Sequence, residues 1–285
     1  MKTTVTLGQI PTGWDIDANL AAIERVVGRA EPDDLVLLPE GALSGYAPDL
    51  SPLATLDRAR LARAVGTAAE LARQRRVHLF CGSLLPEDGA WWNVALHFTP
   101  SGERWSYRKI NLAVNERRVL RAGAELPVRQ VAQPWGDLLV GVQLCREIRY
   151  PEQWQQLARS GAAAFVYLTN AASPEATTGV WRSHLISRAA ENQRYVFAVN
   201  LADPRQHCPS MVVSPRGEVL AELPPGETGI LRTTVDLAEV TDWSLDQQRR
   251  DVIDLRYRPT PHHPATTAPQ PAAAHRQPSE TPTRP

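Results

Sequence analysis

A thiol, a carboxylate and an amine each stand at the end of a strand-like run in this chain. Cys145 closes the apolar run 137–145, Glu40 directly follows the apolar run 35–39, and Lys109 ends a shorter run after a turn. Functional groups of α/β proteins gather at the carboxyl ends of strands, so these side chains could meet at one edge of a sheet. A thiol can attack a carbonyl carbon, a carboxylate can carry the proton, and an ammonium can hold the oxyanion. Hydrolysis of an unreactive amide needs a nucleophile, a proton carrier and an oxyanion donor, and these three groups can supply them.

Five short segments of the chain resemble the nitrilase, or carbon–nitrogen hydrolase, superfamily, whose catalytic set is Glu, Lys and Cys in that chain order. The segments span residues 38–46, 92–96, 107–112, 145–152 and 187–193. They occur in the family's order, and the resemblance runs from about Val5 to Val235. One such segment would be weak evidence, so the resemblance depends on all five.

The resemblance implies a role for each candidate catalytic residue. Cys145 would attack the carbonyl carbon, Glu40 would act as general base and later protonate the leaving amine, and Lys109 would hold the oxyanion. The backbone N–H of Arg146 would be a further oxyanion donor. Glu116 matches a second acid that positions the lysine or assists proton transfer, although it could instead lie in a solvated turn. The resemblance implies no metal and no organic cofactor.

Candidate substrate-binding residues come from family position alone. They are Tyr46, Asn170, Ala171 and Ala172, and the charged Arg146 would suit a substrate that carries a carboxylate. Members of the superfamily hydrolyse nitriles, primary amides or N-carbamoyl compounds, or transfer acyl groups to amines. The nitrile branch usually has Trp-Glu after its cysteine. This chain has Arg-Glu there, which favours the amidase-like branch.

We therefore predict a cysteine-dependent hydrolase of non-peptide carbon–nitrogen bonds, which converts a small amide to an acid and ammonia through a thioester on Cys145. The alternatives are an N-carbamoyl amidohydrolase, a nitrilase and an acyltransferase that uses an amine in place of water. A catalytically silent binding scaffold is a further alternative, because a lone cysteine is commonly a small buried apolar side chain. Cys81 is expected in the core, and Cys208 is expected to be an inert loop thiol.

The elements that must position these groups alternate short strands with amphipathic helices. We predict strands at 4–9, 35–38, 77–84, 138–144, 164–169 and 195–200, and helices at 18–29, within 56–75, at 151–160 and at 178–193. Residues 92–98 and 102–108 are typical of a β-hairpin, and a closing meander follows residue 209. The pattern alone predicts an α/β or α+β fold. The resemblance narrows this to a four-layer α-β-β-α sandwich with two mixed sheets.

Length and composition predict one catalytic domain over residues 1–257 and a disordered tail over residues 258–285. The chain has 285 residues and 43% hydrophobic content, and the tail holds eight of its 24 prolines. Lys plus Arg number 31 and Asp plus Glu number 31, so no global field would attract nucleic acid or an anionic membrane. The expected partner is a small-molecule amide or a related compound.

The compartment is predicted from the start of the chain and from its cysteines. The first residues lack the apolar core of a signal peptide, and no apolar run approaches the roughly 18 residues of a membrane span. The three cysteines are odd in number and widely spaced, and none belongs to a zinc-ligand pattern, so we expect reduced thiols in the cytoplasm. The resemblance also implies a homo-oligomer, with residues 243–257 as the candidate subunit contact.

Overall fold

Two mixed β-sheets lie at the centre of the fold, in a computed structural model that describes residues 1–171 and 178–256. Within these residues the first sheet has seven strands. They are β1 (Lys2–Gln9), β2 (Leu35–Leu38), β3 (His78–Glu87), β4 (Ala90–Phe98), β5 (Arg104–Arg108), β6 (Leu120–Arg121) and β13 (Gly229–Asp236). Their order across the sheet is β13-β1-β2-β3-β4-β5, and β6 pairs with β4.

The second sheet has six strands in the described part of the chain. They are β7 (Val128–Gln133), β8 (Gly136–Leu144), β9 (Ala164–Leu168), β10 (Tyr195–Val199), β11 (Ser210–Val213) and β12 (Val219–Leu223), in the spatial order β12-β11-β10-β9-β8-β7. Strands β1, β2 and β3 are parallel to one another, and so are β8, β9 and β10. The parallel strands of each sheet therefore end at one common edge, where functional groups can gather.

Helices cover the outer face of each sheet. They are α1 (Ile16–Val27), α2 (Arg58–Arg75), α3 (Pro151–Arg159), α4 (Thr178–Asn192) and the single turn α5 (Trp243–Asp246). The first two pack on the first sheet, and α3 and α4 pack on the second. Asp15 and Asp57 begin α1 and α2, because their side chains accept hydrogen bonds from backbone N–H groups of the first turn. Among the described helices, none combines the length and apolar character that a membrane span requires.

Strand β2 shows why the sandwich has four layers. Leu35 and Leu37 belong to the buried apolar cluster that includes the second sheet, whereas Val36 and Leu38 belong to the cluster beneath α1 and α2. Because successive side chains of a strand point to opposite faces, an unbroken apolar run fits a strand that is covered on both sides. The order of layers is therefore helix, sheet, sheet, helix.

The architecture agrees with the sequence-based prediction, and the differences lie in short or polar strands. The sequence does not predict the strand at 128–133, because half of Val-Arg-Gln-Val-Ala-Gln is polar, without regular alternation, and the strand lies at the edge of its sheet. The two-residue strand β6 is too short to leave a periodic signal. The predicted domain boundary at residue 257 and the tail at 258–285 lie outside the described residues.

Candidate active site

Glu40 and Lys109 meet in the interior, at the edge where the parallel strands end. Glu40 follows β2, Lys109 follows β5, and both side chains are fully buried. The Nζ of Lys109 donates a hydrogen bond to Oε1 of Glu40 at 2.9 Å and another to Oε1 of Glu116 at 3.0 Å. Glu116 is thus part of this buried cluster and is not in a solvated turn.

Asn93 on β4 joins the same cluster, and the sequence did not single it out. Its Nδ2 donates to Oε1 of Glu40 at 2.8 Å and to Oε1 of Glu116 at 2.6 Å. The two carboxylates are therefore bridged twice, by an amide and by the ammonium of Lys109. The available signal was the position of Asn93 in the segment 92–96 that carries part of the family resemblance.

Cys145 lies on a strained turn directly after β8. Its φ is 41°, in the left-handed region that residues with a Cβ rarely adopt. The hydroxyl of Tyr167 donates to the Cys145 carbonyl at 2.7 Å and so fixes this turn. A sharp strand-to-helix turn of this kind presents a nucleophile at the edge of a sheet.

Asn170 lies between the thiol and the buried carboxylate. The Sγ of Cys145 is 3.8 Å from the backbone oxygen of Asn170, and the backbone N–H of Asn170 donates to Oε2 of Glu40 at 3.1 Å. Its side-chain amide donates to the carbonyl of Tyr46 at 3.1 Å. The thiol, Glu40 and Lys109 are therefore linked through one short stretch of chain after β9.

The turn that carries Glu40 is held against β3. The N–H of Gly82 donates to the Pro39 carbonyl at 3.1 Å, and the N–H of Leu43 donates to the Gly82 carbonyl at 3.1 Å. A Cβ atom on Gly82 would lie 2.4 Å from the Pro39 oxygen and 2.5 Å from the Glu40 Cα. Only glycine permits this approach of two backbones.

The two carboxylates of the cluster have pKa values that move in opposite directions. Burial raises the pKa of Glu40, more than the adjacent Lys109 lowers it. Burial also acts to raise the pKa of Glu116, but Lys109 and the N–H of Ala113, which donates at 2.5 Å, outweigh it and lower that pKa. Desolvation disfavours the ammonium, but the two carboxylates together raise the pKa of Lys109 well above its usual value. Glu116 thus favours its charged form beside Lys109, and Glu40 is the carboxylate better able to exchange a proton.

The thiol of Cys145 is protonated in the resting site. Burial, followed by the charge of Glu40, raises its pKa to about 12. Lys109 lowers the pKa of the thiol, as a neighbouring ammonium should, but it does not overcome this increase. Proton removal must therefore accompany attack on the substrate.

The predicted substrate-binding residues lie around this cluster. The ring of Tyr46 has its centroid 6.0 Å from the Lys109 Nζ, and Asn170 makes the contacts described above. Ala171 is buried, and its N–H donates to Asn200 Oδ1 at 3.3 Å. Arg146 is half-buried, and its Nε has no hydrogen-bond partner among the described residues. Ala172 lies outside the described residues.

The sequence pattern of the carbon–nitrogen hydrolase family matches residues 4–245. The chain belongs to the carbon–nitrogen hydrolase family. This hydrolase is 29% identical over 255 residues to an (R)-stereoselective amidase from a Pseudomonas species, covering 87% of this chain and 86% of the relative. It is 31% identical over 219 residues to a 2-oxoglutaramate amidase from Bacillus subtilis, covering 72% of this chain and 79% of the relative.

Solved structures of the nitrilase superfamily share the fold of this carbon–nitrogen hydrolase. A glutamate-to-leucine mutant of an amidase from a Nesterenkonia species superposes with a TM-score of 0.73 at 25% identity, covering 88% of this chain and 95% of that chain. That mutant carries the acetamide moiety of fluoroacetamide on its active-site cysteine. These comparisons confirm the superfamily, the four-layer fold and the enzyme class that were predicted from the sequence. The chain is a cysteine-dependent carbon–nitrogen hydrolase of the amidase type.

Proposed function

We propose that this hydrolase converts a small amide to an acid and ammonia through a thioester on Cys145, with Glu40 as proton carrier and Lys109 as oxyanion donor. The observation that carries the proposal is the buried contact of 2.9 Å between Lys109 and Glu40, one short segment away from the strained Cys145 turn. An ion pair without solvent access costs free energy, because both charged groups lose their contacts with water. Here it places a base and a cation beside a nucleophile.

In acylation, Glu40 accepts the thiol proton while the sulfur attacks the amide. Because the pKa of Cys145 is raised to about 12, the Sγ loses its proton only as it bonds to the carbonyl carbon. The raised pKa of Glu40 suits it to accept that proton and then to pass it to the leaving nitrogen. The carbon–nitrogen bond breaks, and ammonia leaves.

Lys109 is oriented so that it can hold the oxyanion. An ammonium has three N–H donors, and Glu40 and Glu116 accept two of them. The third is available for the substrate oxygen, to which the backbone N–H of Arg146 adds a second donor. In deacylation, Glu40 takes a proton from water, the resulting hydroxyl attacks the thioester, and the acid is released as the thiol is restored.

Amides are the substrate class that the named relatives support, since two are amidases and a third carries an amide-derived group on its cysteine. N-carbamoyl compounds, nitriles and acyl transfer to an amine are the remaining alternatives. Ammonia release without added amine distinguishes hydrolysis from transfer. A catalytically silent scaffold would form no thioester.

A carboxylate on the substrate is favoured by Arg146. This guanidinium follows the nucleophile, forms no ion pair with a described residue, and leaves its buried Nε without a partner. One relative is named for 2-oxoglutaramate, an amide with a carboxylate. We therefore expect amides that bear a carboxylate to have a lower KM than neutral amides of the same length, and Arg146→Gln to remove that difference.

The assembly and compartment are parts of the same proposal. Four apolar side chains near the end of the described chain are more than two-fifths exposed, namely Trp243, Val252, Ile253 and Leu255. Exposed apolar side chains are common at contact surfaces, so these four support a homo-oligomer formed through residues 243–257. The free thiols of Cys81, Cys145 and Cys208 suit the reducing cytoplasm.

The test is intact-mass analysis during turnover of a panel of amides, carbamoyl compounds and nitriles. We expect an acyl adduct on Cys145 with amides, and loss of both adduct and ammonia release in Cys145→Ala. Cys208→Ser is the matched control, because the buried thiol of Cys208 lies outside the hydrogen-bonded cluster. Its replacement should leave turnover intact. Ammonia release that survives in Cys145→Ala would overturn the proposal.

A further inference from the structure

Glu147 is a buried carboxylate that contacts both halves of the catalytic site. It lies two residues after the proposed nucleophile, and its side chain is fully buried. Its carboxylate accepts four hydrogen bonds.

The two oxygens of Glu147 serve two different segments. Oε1 accepts from the backbone N–H groups of Ile110 at 2.8 Å and Asn111 at 3.2 Å, which directly follow Lys109. The hydroxyl of Tyr107, on β5, donates to the same oxygen at 2.8 Å. Oε2 accepts from the backbone N–H of Leu144 at 2.8 Å, directly before Cys145. One rigid carboxylate thus spans the segment of the lysine and the turn of the thiol.

The carboxyl group of Glu147 is held by hydrogen bonds, without an ion pair to a described residue. Burial raises its pKa, and the hydrogen bonds from Leu144 and Tyr107 oppose that increase. No Lys, Arg or His of the described chain lies within salt-bridge distance of it. A buried carboxylate is costly to retain, and backbone N–H groups from two separate segments offset that cost only while both segments stay in place.

We propose that Glu147 is a positioning residue, which fixes Lys109 relative to Cys145 so that the ammonium meets the oxyanion formed at the thioester step. The inference rests on the proposed function. It assigns to Glu147 no contact with the substrate and no proton transfer. Its effect should therefore appear in steps that need Lys109 and Cys145 together, and not in reactions of the thiol alone.

Glu147→Gln tests this arrangement, because a glutamine has only one acceptor oxygen. In either orientation of the glutamine side chain, its NH₂ group faces a backbone N–H donor of one of the two segments and cannot accept a hydrogen bond from it. We expect kcat for amide hydrolysis to fall by about 10²-fold, the scale of a displacement near 1 Å. The rate of Cys145 alkylation by iodoacetamide should stay within about threefold of the parent, because displacement of iodide develops no oxyanion for Lys109 to hold.

Two further variants complete the experiment. Glu152→Gln removes an exposed carboxylate from the same stretch of chain and should change neither rate. Tyr107→Phe removes one donor and leaves the three backbone contacts of Glu147 in place, so hydrolysis should slow several-fold with alkylation unchanged. This variant decides the question if Glu147→Gln fails to fold in a melting experiment.

Two outcomes would overturn the inference. One is near-normal amide turnover in folded Glu147→Gln, or in Tyr107→Phe where the first variant does not fold. The other is an equal loss of hydrolysis and alkylation, which would indicate general damage to the nucleophile turn. Hydrolysis that persists in Cys145→Ala would instead refute the proposed function, so the two failures can be told apart.

Discussion

At the scale of single residues, the site separates two carboxylates that accept hydrogen bonds from the same two donors. Lys109 and Asn93 bridge Glu40 and Glu116, yet burial dominates the pKa of Glu40 while the N–H of Ala113 and the ammonium dominate that of Glu116. The carboxylate with the raised pKa is the better proton acceptor of the two. The one with the lowered pKa favours its charged form beside the lysine.

Glu40→Gln and Glu116→Gln should therefore have different consequences. We expect Glu40→Gln to lower kcat by about 10² to 10⁴-fold, the usual contribution of a general acid–base group. In the parent, kcat/KM should rise as the pH passes through the raised pKa of Glu40, because only ionised Glu40 can accept the thiol proton. This rise should vanish in Glu40→Gln. Glu116→Gln should keep the rise and lose less activity, since its remaining oxygen can still accept from Lys109. Initial rates of ammonia release across pH measure both effects, and identical pH profiles for the two variants would contradict the assignment.

At the scale of elements, β3 sets the position of the turn that bears Glu40. The contact needs Gly82, because any Cβ there would lie against the backbone of Pro39 and Glu40, which cannot move aside as a flexible side chain can. The proposed proton carrier is thus placed by a strand that contributes no side chain to the proposed mechanism.

Gly82→Ala should displace the Glu40 turn. We expect a loss of about 1 to 3 kcal/mol in the free energy of unfolding, as in other overpacked interiors, together with slower amide turnover. Gly66→Ala is the matched control, because it lies on the exposed side of α2 with open space around it and should stabilise the protein by up to about 1 kcal/mol. Urea unfolding and turnover assays measure both variants, and normal activity and stability in Gly82→Ala would show that the turn can shift without cost.

At the scale of the whole molecule, a chain of hydrogen bonds connects the two sheets. Arg129 on β7 donates from Nε to His97 Nδ1 at 3.0 Å, which leaves the proton of a neutral His97 on Nε2. That Nε2 then donates to His78 Nδ1 at 3.0 Å, and His78 Nε2 donates to the Ala132 carbonyl on β7 at 2.7 Å. Both imidazoles must be neutral for this direction of donation to hold.

Acid should weaken this connection. Burial lowers the pKa of His78 and, together with the charges of His78 and Arg129, lowers that of His97 well below its usual value. In the unfolded chain the histidine pKa values are about 6.5. Below that pH the unfolded chain therefore binds protons that the folded chain does not yet bind. The stabilisation is complete above about pH 6.5 and is lost as the pH falls toward the lowered values of the folded state.

His97→Phe provides the test, because a phenyl ring can keep the stacking on Phe80 at 4.3 Å while removing the titrating group. We expect the variant to be less stable at about pH 8 by roughly 1 to 3 kcal/mol, from unpaired polar groups, and to lose less stability than the parent on going to about pH 5. Urea denaturation at the two pH values measures the difference. An equal acid loss in parent and variant would mean that His97 does not titrate in this range.

The sequence by itself determined the residue types at the strand ends, the order of the elements, the layered fold and the family. These follow from local periodicity, turn residues and short sequence segments, all of which are visible in the sequence without knowledge of the fold. The polar edge strand at 128–133 left no such signal. The pairing of Lys109 with Glu40 was expected from family resemblance, although the two residues are 69 positions apart.

Only the tertiary structure decided that the pKa values of Glu40 and Glu116 shift in opposite directions, that the pKa of the Cys145 thiol is raised, and that Asn93 and Glu147 contact the cluster and its neighbouring segments. Each of these depends on burial and on hydrogen bonds between segments distant in the chain. Glu147, for example, accepts from N–H groups that lie 36 and 37 residues before it. Desolvation and hydrogen-bond geometry are properties of the packed fold, and no local pattern records them.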